Sequence, residues 1–250
     1  MIVWVGLVAG VGMGLLVYAT RVGMGLPPDA ATYVGAAHSL LEGHGYAMPS
    51  SEAGGWRAVT HYPPLYSALL ASLSMLGPEP LELMRGLHVL LLGANVLIVA
   101  GLLAAAAPGA PWLPVVGAVG IVASPVVLGV HAAVLTEPLF IGLTFASLGL
   151  LASHLGSRHR NALLASAVLA ALASLTRYSG IALIAAAALV LLTTRCPLRQ
   201  RVIDTASFVG VAALPLAVWM LRNAQVGETL TNRTFAVHPI GGDRLLSAAE

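Results

Sequence analysis

Six polar residues that could carry out chemistry stand where predicted apolar helices begin or end. In a membrane protein all six would lie on one face of the bilayer. Ionisable residues near spans tend to be functional, although their cost near an interface is far below the roughly 2.5–3.5 kcal/mol at a span's centre. We therefore expect a site at that face. The six are Asp29, His61, Tyr62, Glu137, Arg177 and Arg222.

Asp29 has two interpretations. A carboxylate at the boundary between water and membrane is partly desolvated, which raises its basicity and suits a general base. In the sequence Pro27-Pro28-Asp29, the same carboxylate could instead be the N-cap of the helix that follows.

Glu137, Arg177 and Arg222 also have a structural and a functional interpretation. Glu137, in Thr136-Glu137-Pro138, could complement the dipole of the helix that it begins. The two arginines could extend their head groups to the membrane interface. Functionally, two guanidinium groups beside carboxylates suit a phosphate-bearing lipid, because arginine binds phosphate oxygens in a bidentate manner.

The eight histidines show no metal-ligand spacing. No metal ligand is therefore predicted, and a divalent cation could be held only by residues far apart in sequence. His61 reads as a loop histidine, whereas His88, His131 and His154 are expected to pack against neighbouring helices. The chain also contains no P-loop, dinucleotide-binding glycine motif or G-x-S-x-G motif.

Composition restricts the class of protein. Of 250 residues, 58% are hydrophobic and only 9% are charged, against about 25% charged in soluble domains. All twelve basic residues are arginine and the net charge is +2, with no basic stripe for a polyanion. A soluble enzyme, a nucleic-acid-binding protein and a disordered chain are excluded, and the single Cys196 forms no internal disulfide.

The apolar stretches predict an all-α, polytopic membrane helix bundle. A span needs about 20 mostly apolar residues, and seven segments approach that length, although six or eight spans remain compatible. The first segment has no basic region before its apolar run, and that run is too long for the apolar region of a signal peptide. The segments are 1–20, 83–106, 112–134, 138–155, 161–178, 180–194 and 203–221.

Residues 21–82 form the predicted first outer loop. Apolar residues recur at helical spacing in 30–41 and 64–76, and each run stops at a glycine. We expect two amphipathic helices along the membrane interface. Residues 43–62 between them have the composition of a flexible or ligand-covering loop.

Arginines in short loops predict the orientation. Two basic loops, 157–160 and 195–201, are separated by two spans and belong on the cytoplasmic face. The N-terminus is then cytoplasmic and the candidate site extracytoplasmic. Residues 1–222 form the predicted membrane domain, and 223–250 the start of an extracytoplasmic segment that we expect to continue.

Several short motifs occur in an order that resembles a known family. The chain is similar to the glycosyltransferase C superfamily, in the polyprenyl-phosphate-sugar-dependent branch that includes protein mannosyltransferases and the aminoarabinose transferase. The motifs are Pro28-Asp29-Ala30-Ala31-Thr32-Tyr33, Leu40-Leu41-Glu42-Gly43-His44-Gly45-Tyr46, Tyr62-Pro63-Pro64-Leu65-Tyr66, Thr136-Glu137-Pro138-Leu139-Phe140, Leu175-Thr176-Arg177-Tyr178 and Trp219-Met220-Leu221-Arg222-Asn223.

The resemblance implies a cell-envelope glycosyltransferase in the cell membrane. Its donor would be a polyprenyl-phosphate-linked sugar, and its acceptor a hydroxyl or amine of a lipid, glycan or protein. Transfer would invert the anomeric carbon, with Asp29 as the base and Arg177 and Arg222 beside the departing phosphate. Tyr33, His61, Tyr62 and Glu137 would contact the substrates.

Two other classes of protein fit the apolar composition. In a multi-pass transporter or lipid flippase, Glu137 and Arg177 would line a path. Such proteins usually contain internal repeats and interrupted helices, and no repeat is evident in this sequence. A non-catalytic membrane scaffold is the second alternative.

Overall fold

The computed structural model describes residues 1–50, 55–227 and 230–231. The fold of these residues is all-α, with 75% of them helical and one small two-stranded sheet among them. The described elements are α1 Ile2–Ala19, α2 Pro28–Leu41, β1 Ala47–Pro49, β2 Trp56–Ala58, α3 Leu65–Ser74, α4 Pro80–Ala106, α5 Leu113–Ala123, α6 Pro125–Ala132, α7 Glu137–Ser157, α8 Arg160–Thr176, α9 Gly180–Thr193 and α10 Leu198–Val226.

Helices form in all seven predicted apolar segments, but fewer than seven have the length of a span. Among the described residues, four helices (α1, α4, α7 and α10) are long and apolar enough to cross a membrane, or up to five with the bent pair α5–α6. Helices α8 and α9 have 17 and 14 residues. They extend only about 25 and 21 Å, against a hydrocarbon core of about 30 Å. The predicted seven-span bundle is therefore not confirmed.

The predicted segment 112–134 is broken rather than continuous. Helices α5 and α6 meet at a bend of 59°. Pro125 has no backbone N–H to donate and disfavours helical backbone at Ser124. The Ser124 hydroxyl instead accepts a hydrogen bond from Val127 N at 3.3 Å and caps α6.

Both helices predicted in the outer loop are present, and they pack together rather than separately. Tyr33 of α2, Tyr66 and Leu70 of α3, and Met84 of α4 share one buried cluster. This packing joins the outer loop to the beginning of α4.

The predicted loop between these helices contains the sheet. Strands β1 and β2 pair antiparallel with Met48 opposite Arg57. Gly43 and Gly45 have φ angles of +81° and +78°, a conformation that favours glycine, and they turn the chain from α2 into β1. Residues 51–54 of this loop lie outside the described residues.

Two apolar cores hold the bundle. Helices α7 to α10 share one core that includes Leu163, Ile184 and Phe208, and α1, α4 and α5 share another that includes Val96. Helices α4 and α7 pack together and join the two cores. As a result, the beginnings of α2 and α7 and the ends of α8 and α10 meet at one end of the bundle.

The predicted boundary at 222/223 falls inside a helix. Helix α10 continues to Val226, and Asn223, which the prediction places in the extracytoplasmic segment, is fully buried. Its amide donates to Thr60 O at 3.3 Å and to Leu230 O at 3.0 Å. Residues 228–229 and 232–250 of the predicted extracytoplasmic segment lie outside the described residues.

Candidate functional site

Asp29 is held by a residue from the far side of the outer loop. The Tyr62 hydroxyl donates to Asp29 Oδ1 at 2.6 Å across 33 positions of sequence, within the range of strong bonds to a carboxylate. Helix α2 begins at Pro28, its N-cap is Pro27, and no side chain caps it. The capping interpretation of Asp29 is therefore wrong. Proline at the first helical position has no N–H to satisfy.

Tyr33 lies one turn further along α2 and is 3% exposed. Its ring meets Tyr62 and Tyr66 edge to face, at centroid distances of 5.1 and 5.4 Å. Burial, together with the charge of Asp29, raises the pKa of Tyr33 to about 12, although hydrogen bonding with Thr136 acts in the opposite direction. Tyr33 therefore stays protonated at neutral pH.

Glu137 and Arg177 form an ion pair at the same end of the bundle. Arg177 Nη1 lies 2.7 Å from Glu137 Oε1, with the side chains 36% and 30% exposed. The same nitrogen donates to Thr136 Oγ1 at 2.9 Å. Partly exposed pairs contribute little to stability, about 0–1 kcal/mol, so this pair matters more for charge placement than for folding.

A tight turn presents Arg177. Helix α8 ends at Thr176, and Arg177 has extended backbone. Helix α9 begins at Gly180, where an added Cβ would lie 2.5 Å from Ser174 Cα. Since such an approach is too close for a side chain, glycine at this position permits the turn that points Arg177 towards Glu137.

These residues surround a small cavity. Asp29, Tyr33, Tyr62, Thr136 and Arg177 are among the residues lining a space of about 120 Å³, which we call the small cavity. Tyr62 also borders a second space of about 510 Å³, the large cavity, lined by β2, the segment after it and the end of α10. The site therefore has two compartments with Tyr62 common to both.

Arg222 does not join the small cavity. Its Nη1 donates to Val59 O at 2.8 Å and its Nη2 to Tyr46 O at 3.1 Å. The guanidinium also lies 4.8 Å from the Trp219 ring centroid. The structure therefore does not bring Arg222 beside Arg177 as predicted, and both of its terminal nitrogens instead donate to backbone carbonyls of the outer loop.

His61 also lies outside the small cavity. It lines the large cavity and meets the Tyr62 ring edge to face at 4.8 Å. Of the seven site residues predicted from sequence, the structure thus brings Asp29, Tyr33, Tyr62, Glu137 and Arg177 together, with His61 next to them.

Sequence reasoning did not select three residues that build or line the two cavities. Thr136 bonds Arg177, and the Tyr178 hydroxyl donates to Thr60 O at 2.9 Å. Arg57 lines the large cavity. Thr136 and Tyr178 are next to Glu137 and Arg177 in the sequence, and Arg57 lies in the predicted ligand-covering loop. Proximity to predicted site residues is therefore the sequence signal that could have identified them.

Among the residues that the structure describes, no three His, Cys, Asp or Glu side chains lie close enough together to hold a metal ion. Asp29 and Glu137 are the carboxylates at the site. The involvement of a divalent cation stays a prediction.

No protein-family model, curated protein or solved structure matches this chain. A functional assignment therefore rests on the residues and cavities of the site.

Proposed function

We propose that the protein is an integral membrane glycosyltransferase that transfers a sugar from a polyprenyl-phosphate carrier to an acceptor hydroxyl or amine. The observation that supports this most directly is the Asp29 carboxylate, held by Tyr62 at 2.6 Å in a cavity that also contains Arg177. Base and cation thus share one compartment at the end of an apolar helix bundle.

Asp29 acts as the general base. Tyr62 orients Oδ1, whereas Oδ2 accepts no hydrogen bond from any described residue and is available for the acceptor's proton. As Asp29 removes that proton, the acceptor oxygen or nitrogen forms a bond to the anomeric carbon. The bond from that carbon to the phosphate oxygen breaks, its electron pair leaves with the phosphate, and attack from the opposite face inverts the carbon.

Arg177 stabilises the charge of the departing phosphate. Both of its bonds within the described residues use Nη1, which leaves Nη2 and Nε as donors. Fixed donors aimed at developing charge are worth most in a site with little water. Glu137 and Thr136 hold the guanidinium in place before the donor binds.

The bundle suits a lipid-linked donor. Four or five helices can cross a membrane by length and composition, and the small cavity lies at one end of α7. The basic loops after α7 and α9 lie at the other end, which the positive-inside rule assigns to the cytoplasm. The carrier's tail would remain in the bilayer while its sugar reacts at the extracytoplasmic surface.

Transfer of radiolabelled sugar from polyprenyl-phosphate donors tests this proposal in membranes that contain wild-type protein or the Asp29→Asn variant. We expect transfer to fall by about 10²- to 10⁴-fold, the usual contribution of a general base. Glu79→Gln is the matched control, because Glu79 is an exposed carboxylate outside the cavity. Equal transfer by Asp29→Asn would overturn the base role, and no transfer by wild type from any donor would overturn the enzyme class.

A transporter or lipid flippase is the second candidate, and the 59° break between α5 and α6 favours it. Interrupted spans often line binding sites in transporters. Proteoliposomes separate the two candidates. A transporter would move the lipid-linked sugar across the bilayer chemically unchanged, whereas a transferase would yield free carrier phosphate and a glycosylated acceptor.

A further inference from the structure

The large cavity is an independent feature of the molecule. Its volume of about 510 Å³ falls within the usual range for small-molecule sites, about 300–1,000 Å³. Thr32 of α2, the segment Ala58–Tyr62 and Gly227 border it. Among the described residues, Tyr62 alone lines both the large and the small cavity.

The two cavities differ in charge. The small cavity contains the Asp29 carboxylate as well as the Arg177 guanidinium, whereas the described lining of the large cavity contains Arg57 and His61 and no acidic residue. Arg57 is exposed and forms no ion pair with any described residue. A guanidinium in this state has its full set of donors for a phosphate or carboxylate.

Helix α10 and the turn after α8 hold the wall of the large cavity. Arg222 donates to Val59 O at 2.8 Å, and Tyr178 and Asn223 donate to Thr60 O at 2.9 and 3.3 Å. These bonds fix the backbone that follows β2 next to Arg57. A wall held by such bonds keeps its shape before a ligand arrives, which lowers the cost of binding.

We propose that the large cavity binds the anionic group of a substrate and that Arg57 is the cation that contacts it. This inference rests on the proposed function for the substrate's identity, because either the carrier's phosphate or an anionic acceptor has this chemistry. Arg57 thus takes the anion-binding role that the sequence suggested for Arg222, whose two terminal nitrogens donate to backbone carbonyls. Because Tyr62 lines both cavities, a ligand in the large cavity lies next to the residue that holds Asp29.

Equilibrium binding to the purified full chain in nanodiscs of zwitterionic lipid tests this inference with two radiolabelled probes, undecaprenyl monophosphate and methyl phosphate. The variants are Arg57→Ala and Arg57→Lys. Arg21→Ala is the matched control, because Arg21 is exposed near the same end, stacks on Tyr18 and lines neither cavity.

We expect Arg57→Ala to weaken binding of the lipid probe about tenfold or more, the usual scale of a hydrogen bond to a charged group, with a smaller loss for Arg57→Lys. Loss confined to the lipid probe would identify the carrier's phosphate as the ligand, and a parallel loss of methyl phosphate would identify a site for a soluble anion. The inference is overturned if Arg57→Ala binds both probes as Arg21→Ala does, or if wild type binds neither.

Failure of this inference is distinguishable from failure of the proposed function. Binding requires no catalysis, so an Arg57-dependent anion site can exist without sugar transfer. Conversely, sugar transfer can depend on Asp29 in the same experiments in which Arg57→Ala leaves phosphate binding unchanged. That result would support the proposed function and exclude only the proposed anion site.

Discussion

Two groups of polar side chains differ in what they do: the site cluster, which consists of Asp29, Tyr33, Tyr62, Glu137 and Arg177, and a chain of buried hydrogen-bonded residues. In this second group, the Tyr66 hydroxyl lies 2.7 Å from His88 Nε2, and His88 Nδ1 lies 3.0 Å from His131 O. Asn95 Nδ2 lies 3.2 Å from His131 Nε2 and 3.0 Å from Pro138 O. We call Tyr66, His88, Asn95 and His131 the buried polar chain. Each is at most 2% exposed.

The partners of the buried polar chain assign its protons. Because a carbonyl only accepts, His88 Nδ1 carries a hydrogen. Full burial disfavours a charged ring, so its Nε2 is unprotonated and accepts from the Tyr66 hydroxyl. His131 Nδ1 likewise donates to Val127 O at 2.8 Å, so its Nε2 accepts from Asn95. Both rings are then neutral, and their hydrogen-bonding capacity is used within the protein.

The difference teaches which cluster can do chemistry. The site cluster combines charged groups with partial exposure and a cavity, whereas the buried polar chain is neutral and lines neither cavity. Asn95 and His88 bond both ends of the segment between α6 and α7, which delivers Thr136 and Glu137 to the site. The buried polar chain therefore holds the backbone that carries Glu137 of the site cluster.

Removing Arg177 is expected to separate activity from stability most clearly. Arg177→Ala should lower the rate of sugar transfer by about 10²- to 10³-fold, as loss of one charge-stabilising group does in other enzymes. Its thermal stability should change little, because the ion pair with Glu137 is about one-third exposed. Parallel rate and melting measurements check this. A stability loss that accounts for the lost activity would contradict it.

Removing Asn95 should have the opposite effect. Asn95→Leu leaves His131 Nε2 unpaired in the interior, which costs roughly 1–3 kcal/mol for a buried group, and it also removes the bond from Asn95 to Pro138 O. Denaturant or thermal unfolding in detergent measures that loss, and transfer is normalised to folded protein. Unchanged stability together with reduced transfer per folded molecule would show that the buried polar chain takes part in chemistry.

A matched pair of hydroxyl deletions sharpens the contrast. Tyr62→Phe removes the bond to Asp29 and keeps the ring, so transfer should fall roughly tenfold while stability is retained. Tyr66→Phe removes the bond to His88, so stability should fall by about 1 kcal/mol or more while transfer per folded molecule is retained. The reverse pattern would exchange the roles of the two regions.

Alkaline pH should produce the smallest effect. The folded-state pKa of Tyr33 is raised to about 12, so its stabilisation is complete below the unfolded value near 10 and is lost as pH rises towards 12. At pH 10.5 the loss from Tyr33 is under about 1 kcal/mol. Melting temperatures between pH 8 and 11 should fall less for Tyr33→Phe than for wild type. Identical slopes would exclude this contribution.

The expected packing of the span histidines is confirmed, and the reason is local. His88, His131 and His154 stand among apolar residues at helical spacing, which predicts burial against other helices. All three are at most 2% exposed. The partners that come from other helices, including Asp204 Oδ2 at 3.3 Å from His154 Nε2, could not be predicted from local sequence.

Composition and periodicity by themselves determined the helices, the apolar class of the chain, and the common end at which Asp29, Glu137 and Arg177 meet. These properties depend on neighbouring residues, and antiparallel connections then decide which ends coincide. Only the tertiary structure decided that Tyr62 holds Asp29 and that Arg222 binds backbone carbonyls. Both outcomes depend on which groups from distant parts of the sequence lie within hydrogen-bonding distance, and the packing of the helices determines that.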